Sequence, residues 1–529
     1  MSMSTGLSRV TGFIRIWAQA IALGATFFAS SYVVANNIPN MLYELVAGGI
    51  ISSLFIPVFM ERRAKHGEKD ARDFASSAFW LAVIALGLVS LAGTIWPQPF
   101  VFTQFAQGAS TKLDPQAAVF MFRFFAIQIL IYGVGALITG ILNSDRIFFA
   151  PAIGPVFNNL VVIATLFVFV PLSATGNHTL AISVLAIGTT LGVVAQMAVQ
   201  LPSLRKTGFR FKFELDLKHP GLRKIGVLAV PTIIYVITNL IGVTFRNRFA
   251  FAAPVPGLEA GSGPSIVSFA WVWYQLPYGI FAVALATALF PELSTAAHDL
   301  DWRRFAENFG VGLRSTALLI LPCAALLVAL APQIISLFKF GRFTAPMVGP
   351  TAGVLQVWAL GLFSFAAYML VLRSFYSMQD TRTPAITNIF ATVLQVALYA
   401  TLTQGIGAWK GIGLPGIPAA DAIAYSLHLI LLGWLLRRRV GPLQLGRSAI
   451  SLAKSVVVAM AGGLAAWAVV LATPALTTSR FGFLAQILAG AVVAVAIVWG
   501  LAQLLGVDEI QTVSRMVGRL FGRLRRGTP

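Results

Sequence analysis

The chain has 529 residues, of which 57% are hydrophobic and 11% charged, and its formal net charge is +20. Soluble globular proteins carry about 25% charged residues, so this composition excludes a soluble domain and indicates an integral membrane protein. The apolar runs are continuous rather than alternating with period 2, which favours transmembrane helices over a β-barrel.

The first apolar hairpin, residues 7–59, carries the ionisable side chains Arg9, Arg15 and Glu44. If the first span begins near residue 6, Arg15 lies about 14 Å along the helix, close to the middle of a bilayer core about 30 Å thick. An arginine at that depth costs roughly 2.5–3.5 kcal/mol to insert, so it must face water, a partner or an anionic ligand. We therefore expect Arg15 to mark a functional site.

Hydropathy predicts an all-α integral membrane protein with about fourteen transmembrane helices. A helix needs about 20 predominantly apolar residues to cross the bilayer core, and each run meets this length. The predicted spans cover residues 6–28, 31–59, 74–97, 117–142, 149–172, 179–202, 225–248, 264–293, 309–331, 347–376, 384–405, 414–436, 451–473 and 482–504.

Basic residues are distributed unevenly among the loops between these spans. They concentrate after spans 2, 6 and 12 and in the tail, whereas the alternate loops carry few. Because lysine and arginine are enriched in cytoplasmic loops, the pattern predicts that both termini are cytoplasmic. The tail has apolar residues at helical spacing between arginines, which predicts a basic amphipathic helix on an anionic leaflet.

Short motifs recur at a nearly constant separation of 231 to 234 residues and indicate an internal repeat. The motif SLFIP at 53–57 corresponds to ALFP at 288–291. The dipeptide FA occurs at 74–75 and again at 305–306, and PAI occurs at 151–153 and again at 384–386. The separation covers six predicted helices, so the halves are parallel repeats, an architecture of transporters. The predicted domains are an N-terminal lobe (1–202), an interfacial linker (203–224), a C-terminal lobe (225–440), two extra helices (441–504) and the tail (505–529).

Few side chains inside the spans could support catalysis or metal binding. Asp421 and His428 are seven residues apart on one predicted helix, and we interpret them as structural hydrogen-bonding residues. The single cysteine, Cys323, lies in an apolar run, which predicts that it is a small core residue. No nucleotide-binding, zinc-protease or paired-carboxylate motif is present. We therefore expect no enzyme activity, no cofactor and no metal.

The cations inside or at the ends of the spans are more informative than the acids. Besides Arg9 and Arg15 they include Arg123, Arg246, Arg248, Arg314, Arg373 and Lys454. Arginine binds phosphate through two parallel hydrogen bonds, so these residues favour a phosphorylated or pyrophosphorylated substrate. For residues near helix ends, the alternative is a side chain that extends to the membrane interface. Glu44 is either the counter-ion of one arginine or a proton site.

Two predicted spans contain helix-breaking residues at corresponding positions of the repeat. Span 2 contains Pro39 and Asn40, and span 8 contains Pro277 and Gly279. Paired interruptions are typical of the substrate site and hinges of alternating-access transporters. We expect Asn40 to line the site, and the two prolines, Gly279 and Gly12 to act as hinges. A packing kink is the alternative.

Four stretches resemble a known family, namely SRVTGFIR at 8–15, IPN at 38–40, LFKFGRFT at 337–344 and FYSMQDTRTP at 375–384. They are similar to the signatures of the MurJ (MviN) family of lipid II flippases, in the MOP superfamily, and Arg9 and Arg15 match that family's first-helix arginines. The resemblance implies fourteen helices, a central cationic cavity and a groove for the lipid tail at helices 13 and 14. It also implies export of the undecaprenyl-pyrophosphate-linked peptidoglycan precursor across the bacterial cytoplasmic membrane.

Several positions depart from the family's pattern. Ser30 and Tyr43 stand where the family often has an acid and an arginine, and Val272 and Gln275 stand where it has an arginine and a glutamate. Either other cations complete the headgroup site, or the headgroup differs. The candidate substrate-binding residues are Arg9, Arg15, Asn40, Tyr43, Glu44, Arg123, Arg246, Arg248 and Gln275.

These features predict a lipid II flippase that works by alternating access. Because no nucleotide-binding motif is present, we expect the membrane potential or an ion gradient to drive it. The alternatives are a flippase for another undecaprenyl-linked oligosaccharide, a cation-coupled multidrug exporter, and a non-transporting cell-wall scaffold. The expected partners are lipid II, anionic membrane lipids and cell-wall synthesis proteins, and nucleic acid is not expected.

Overall fold

A computed structural model describes residues 2–43, 55–105, 115–209, 211–213, 215–507 and 509. Within these ranges the chain is built from helices and contains no β-strand, which confirms the all-α class. Eleven helices in the described part are long and apolar enough to cross a membrane. The chain is therefore a multi-pass membrane protein, and the count of fourteen spans stays a prediction.

The helices belong to two compact units, Met1–Ser268 with Phe340–Thr344, and Phe269–Lys339 with Ala345–Pro529. We call them the N-terminal and C-terminal units. The first nine helices are α1 Ser2–Leu23, α2 Phe27–Tyr43, α3 Ile56–Ile95, α4 Pro97–Phe102, α5 Gln116–Ser144, α6 Phe149–Ala174, α7 His178–Ala198, α8 Leu201–Lys206 and α9 Pro220–Ala252. The others are α10 Gly263–Pro277, α11 Val283–His298, α12 Trp302–Ser336, α13 Ala345–Ser377, α14 Arg382–Gln404, α15 Gly416–Val440, α16 Leu445–Ala472 and α17 Arg480–Leu504.

The internal repeat reappears in the backbone conformation of the connections. Four pairs of residues with positive φ are each separated by 233 positions, namely Gly24 and Gly257, Gly67 and Leu300, Arg146 and Gln379, and Gly208 and Gly441. A left-handed conformation is unfavourable for residues other than glycine, so its recurrence at one separation is not a consequence of composition. The two copies thus have positive φ at equivalent positions, while α16 and α17 follow the second copy.

The basic segment after the second predicted span is helical, although the sequence suggests a loop between residues 60 and 73. It forms the first part of α3, which is kinked at Gly67 (φ 86°, ψ 174°). Arg62 pairs with Asp70 across this kink at 2.6 Å. Glu61 pairs with Lys224 of α9 at 2.5 Å, and its hydrogen bonds to Lys224 and Lys65 lower its pKa to about 2. Paired charges therefore extend the helix beyond its apolar part.

The described part of the linker between the repeats lies along α3. The backbone N–H of Lys212 donates to Ser76 Oγ at 3.3 Å, and Trp80 Nε1 donates to the carbonyl of Lys212 at 2.7 Å. The ring of Phe211 stacks on Phe79 with centroids 3.8 Å apart. Hydroxyl and indole groups of α3 thus supply the hydrogen bonds that a neighbouring strand would supply in a sheet. The interfacial location of this linker stays a prediction.

Close helix packing attaches α16 to the rest of the C-terminal unit. A Cβ atom on Gly463 would lie 2.9 Å from the Cβ of Ala325 in α12. A Cβ atom on the preceding Gly462 would lie 2.7 Å from a methyl group of Val498 in α17. Small residues that let helix backbones approach closely are the usual means of packing within membranes.

Candidate functional site

Arg15 lies on α1 in the N-terminal unit and is half-buried. Its Nε atom is buried and has no hydrogen-bond partner among the described residues. No carboxylate of the described chain forms an ion pair with it, and Glu44 lies outside the described residues. Arg9, two turns earlier on the same helix, is exposed. The guanidinium of Arg15 is therefore a partly buried positive charge without a protein counter-ion in the described structure.

Uncharged polar side chains surround Arg15. Its charge interacts with the hydroxyl groups of Tyr32 on α2 and Tyr132 on α5. Tyr32 lies 3.1 Å from the Thr189 hydroxyl of α7. Tyr132 is hydrogen-bonded to Asn158 of α6. We call Arg15, Tyr32, Tyr132, Asn158 and Thr189 the N-terminal polar cluster.

Tyr43 extends this cluster toward a small cavity. Its ring lies against Tyr132 with centroids 4.6 Å apart. The two tyrosines line a cavity of about 60 Å³, together with Thr139, Gln196 and Gln200. Asn158 Nδ2 also donates to Gln196 Oε1 at 2.9 Å, so the cavity and the polar cluster share one hydrogen-bond network. Tyr43 therefore adds a ring and a hydroxyl where the family often has a charge.

The N-terminal part of α1 is fixed to α6 by a polar contact. Asn159 Nδ2 donates to Thr11 Oγ1 at 3.0 Å. A Cβ atom on the neighbouring Gly12 would lie 3.6 Å from Asn159 Nδ2, an ordinary contact distance. The helix runs through Gly12 without interruption, and its role as a hinge stays a prediction.

The two predicted helix breaks differ in the structure. The helix α2 continues through the buried Pro39 to Tyr43, so the predicted interruption is absent, and Asn40 Nδ2 donates to the carbonyl of Asn36 at 2.9 Å. Pro39 has no N–H, so the carbonyl of Ala35 loses its helical donor while the helix continues. In the C-terminal unit, by contrast, a π-helical turn follows Pro277 directly, at Tyr278–Ala282, and includes Gly279.

Ser30 has a structural contact in place of the family's acid. It is fully buried, and its Oγ accepts a hydrogen bond from the backbone N–H of Ser265 at 3.1 Å. Nearby, Glu259 accepts a hydrogen bond from the backbone N–H of Phe27, at the start of α2. A carboxylate at a helix N-terminus satisfies a free N–H and interacts favourably with the helix dipole. This contact of Glu259 could not be predicted from the sequence because its partner is 232 residues away.

The other predicted cations lie apart from these contacts. Arg123 is exposed on α5, and Arg246 and Arg248 are half-buried on α9. Between the last two, Asn247 donates to Gln104 Oε1 at 2.9 Å, a buried amide pair that the sequence analysis missed. Among the described residues, Arg123 and Arg248 have no hydrogen bond to the N-terminal polar cluster. The role of all three arginines in substrate binding stays a prediction.

Gln275 and Val272 belong to the C-terminal unit. Gln275 is exposed on α10, and Val272 is half-buried one turn earlier. Neither side chain has charge, so α10 contributes no ionic group at the two positions where the family has an arginine and a glutamate. The assignment of Gln275 to the substrate site stays a prediction.

Asp421 and His428 are held by separate hydrogen bonds inside the C-terminal unit. Asp421 accepts from Trp358 Nε1 at 2.8 Å, from Gln395 Nε2 at 2.6 Å and from the hydroxyl of Tyr399. His428 Nε2 lies 3.1 Å from the hydroxyl of Thr387. Three donors around one carboxylate satisfy its charge without a cation. Among the described residues no group of three or more His, Cys, Asp or Glu side chains could hold a metal ion.

Arg314 is buried in an ion pair that the sequence analysis missed. Its Nε lies 2.5 Å from Glu509, and both side chains are almost completely buried. Ser451 of α16 donates to the other oxygen of Glu509 at 3.0 Å. The charge of Arg314 is thus compensated within the protein, which separates it from Arg15.

Comparison with known proteins decides the family. The profile of the family described as "Lipid II flippase MurJ" matches residues 19–487. The chain belongs to the MurJ family. The chain is 30% identical over 434 residues to the "Probable lipid II flippase MurJ" of Rhizobium meliloti, covering 80% of this chain and 77% of that protein. It is also 30% identical over 450 residues to the "Lipid II flippase MurJ" of Burkholderia cenocepacia, with 82% of each covered.

Solved structures show how widely this MurJ fold is shared. A structure of "Lipid II flippase MurJ, inward closed conformation" matches with a TM-score of 0.76 at 21% identity, covering 95% of this chain and 99% of that one. An inward-facing multidrug resistance MATE family transporter of the MOP superfamily matches with a TM-score of 0.66 at 16% identity, covering 84% and 96%. The resemblance to MurJ and the MOP fold is therefore confirmed.

Proposed function

We propose that this chain is a flippase that moves lipid II, the undecaprenyl-pyrophosphate-linked peptidoglycan precursor, from the inner to the outer leaflet of the cytoplasmic membrane. Membership of the MurJ family supports this function. The structural observation that carries it is the guanidinium of Arg15, which is partly buried in an apolar helix without a carboxylate partner among the described residues. A cation in that position is stabilised when an anionic ligand arrives.

The N-terminal polar cluster suits a pyrophosphate better than it suits a cation. Tyrosine hydroxyl and asparagine amide groups can donate hydrogen bonds to phosphate oxygens, while Arg15 supplies a planar pair of N–H donors. Arg9, exposed two turns away on the same helix, extends the positive charge along α1. The pyrophosphate group of the substrate would bind here, with Asn40 and Tyr43 lining the path of the headgroup.

Transport would proceed by alternating access of the two repeats. The π-helical turn at Tyr278–Ala282 provides a local break where α10 and α11 can change their relative direction. The pyrophosphate carries negative charge outward, so a membrane potential that is negative inside favours the export direction. Asp421 already accepts three hydrogen bonds, which argues against its use as the cation site of a drug exporter.

An apolar cavity in the C-terminal unit offers space for the polyprenyl tail. It has a volume of about 570 Å³ and lies among α12, α13 and α16, with lining residues that include Val328, Leu360, Met460 and Trp467. The family resemblance implies a tail groove at helices 13 and 14, which correspond to α16 and α17. Of these two helices only α16 lines this cavity, so we propose that α12 and α13 supply the other walls.

The test is complementation of a bacterium depleted of its own lipid II flippase. The parent chain, Arg15→Ala, Arg15→Lys and the control Lys410→Ala, which alters an exposed loop cation, are expressed to equal levels. We expect rescue by the parent and by the control, none by Arg15→Ala, and partial rescue by Arg15→Lys because lysine keeps the charge but loses the paired hydrogen bonds. Export is measured in parallel as the amount of labelled lipid II that becomes accessible at the outer surface.

Two results would contradict this proposal in different ways. Equal rescue by Arg15→Ala would remove Arg15 from the site while leaving transport intact. Failure of a well-expressed parent would favour another undecaprenyl-linked oligosaccharide as cargo, a candidate supported by the uncharged Val272 and Gln275, or a non-transporting scaffold. Export assays with other lipid-linked sugars separate these two alternatives.

A further inference from the structure

A second apolar groove lies in the C-terminal unit, among α12, α13, α15 and α16. Its volume is about 460 Å³, within the usual range for ligand pockets of about 300–1,000 Å³. The lining is mostly apolar and includes Phe309, Leu313, Phe363, Val371 and Leu452. It shares no lining residue with the cavity proposed for the polyprenyl tail. The groove is therefore a separate site.

Positive charge is concentrated at one end of this groove. Arg437, an exposed residue of the last turn of α15, belongs to its lining. The guanidinium of Arg438 lies over the ring of Trp434, another lining residue, at 3.6 Å from the ring centroid. Asp380 pairs with Arg439 at 2.5 Å, whereas Arg437 forms no ion pair within the described chain. Arginine and tryptophan at the end of a transmembrane helix are typical of the headgroup level of a bilayer.

A buried hydroxyl group inside the groove lacks a partner. Ser448 of α16 lines the groove and is 4% exposed. Its Oγ forms no hydrogen bond with any described residue. A buried polar group without a partner is unfavourable, and Ser448 lies in the groove wall, where a ligand atom would complete its hydrogen bonding.

The groove has an apolar wall and one charged end, which match the two parts of an amphiphilic molecule. Leu429 to Arg437 cover about 12 Å of α15, from the apolar wall to the charged end. Beside them, Gly433 keeps the groove open, because a Cβ atom there would meet no atom within 4 Å. Ile430 is 66% exposed at the outer edge, so the groove opens toward the surroundings of the helix bundle.

We propose that this groove binds one anionic phospholipid from the bilayer. The phosphate group would lie on Arg437 and Arg438, as in the basic pockets between transmembrane helices that bind anionic headgroups. Ser448 Oγ would donate to an ester carbonyl of the glycerol, and an acyl chain would lie along Phe309 and Leu313. The site is independent of substrate transport through the N-terminal polar cluster.

The test measures lipid binding to the purified full-length protein in detergent by native mass spectrometry. Phosphatidylglycerol and phosphatidylcholine are titrated separately against the parent and against four variants. Gly433→Leu fills the groove, and Ser448→Ala removes the hydroxyl. The matched controls are Gly500→Leu on α17, where a Cβ atom is also free of contacts, and Ser455→Ala, a buried hydroxyl of α16 that also lacks a partner but does not line the groove.

We expect one saturable phosphatidylglycerol molecule per chain, bound more tightly than phosphatidylcholine. Gly433→Leu should weaken its binding by about tenfold or more, and Ser448→Ala by about three- to tenfold, while both controls bind like the parent. Equal binding of the two lipids would overturn the proposal, as would equal affinities of Gly433→Leu and Gly500→Leu. Displacement of the phosphatidylglycerol by undecaprenyl pyrophosphate in the parent would also overturn it and assign the groove to the cargo.

Folding of the variants is controlled by their thermal unfolding midpoints without added lipid. A Cβ atom at position 433 would meet no atom within 4 Å, and the substitution replaces glycine in a helix, so the midpoint of Gly433→Leu should equal or exceed that of the parent. Added phosphatidylglycerol should then raise the midpoint of the parent more than that of Gly433→Leu. Equal increases in the two proteins would contradict binding in this groove.

Discussion

Two arginines of this chain, Arg15 and Arg314, lie inside largely apolar helices. Arg15 interacts with tyrosine hydroxyl groups and has no ion pair within the described chain, whereas Arg314 is paired with Glu509. A buried charge is stable only where another charge or several dipoles compensate it. The first arginine is therefore available to the anionic ligand that we propose, whereas the second is compensated within the protein.

Arg314→Gln tests the structural role of the Arg314–Glu509 pair. The substitution leaves the carboxylate of Glu509 buried without its counter-charge, and we expect a loss of about 3–5 kcal/mol in stability. Replacing both residues, Arg314→Met with Glu509→Met, should recover most of this loss because neither charge is then buried alone. Thermal unfolding in detergent measures both effects. Equal midpoints for the single and double variants would contradict a stabilising ion pair.

The difference between these arginines could not be predicted from the sequence. Composition and helix periodicity place both residues within apolar segments, but the partner of Arg314 is 195 positions away. Likewise, the contact between Ser30 and Ser265 joins residues 235 positions apart. Hydropathy predicts which segments are helices because burial in lipid acts on each segment separately. Pairing between distant side chains depends on the packing of those helices.

The connections between helices show what the repeat preserves and what it changes. Gly67 and Leu300 occupy the same position of the two copies, and both have positive φ. In the first copy the helix continues past the kink as α3, whereas in the second the chain ends α11 and begins α12. Motif spacing predicts that the copies correspond, but it does not predict which turn interrupts a helix, because that depends on the charges that flank it.

Leu300→Gly and Gly67→Leu test the conformational demand of this position. Leu300 is 68% exposed, so glycine loses little packing while it relieves a left-handed leucine. We expect Leu300→Gly to stabilise the protein by about 1 kcal/mol, and Gly67→Leu to destabilise it by about 1–2 kcal/mol. A Cβ atom at Gly67 meets no atom within 4 Å, so steric clash does not contribute. If both substitutions shifted the thermal unfolding midpoint in the same direction relative to the parent, this explanation would be contradicted.

At the scale of the whole molecule, the distribution of basic residues and the internal repeat both bear on how the chain is oriented in the membrane. The motif spacing predicts an even number of helices between equivalent positions of the two copies, which would give both copies the same orientation in the membrane. The basic residues then mark one side for both copies. The fold class follows from hydropathy alone, whereas the orientation depends on a small excess of charges in short loops. The sidedness of the chain stays a prediction that labelling can test.

Cysteine labelling distinguishes the two possible orientations. The chain has a single cysteine, Cys323, so Cys323→Ser provides a background without thiols. One new cysteine replaces the exposed Lys206, the last residue of α8, and another replaces the exposed Lys410, between α14 and α15. In intact cells, a membrane-impermeant maleimide should label the variant Lys410→Cys and leave Lys206→Cys unlabelled until the membrane is permeabilised.

This result would place the basic loops in the cytoplasm, on the side where lipid II is made, and the opposite labelling pattern would contradict the proposed direction of export. Labelling of both positions in intact cells would mean that the odd number of spans predicted between residues 206 and 410 is wrong. Each position is exposed in its unit, so failure of both to react after permeabilisation would contradict the described fold. The experiment thus connects the charge pattern, the repeat and the direction of transport through two single substitutions.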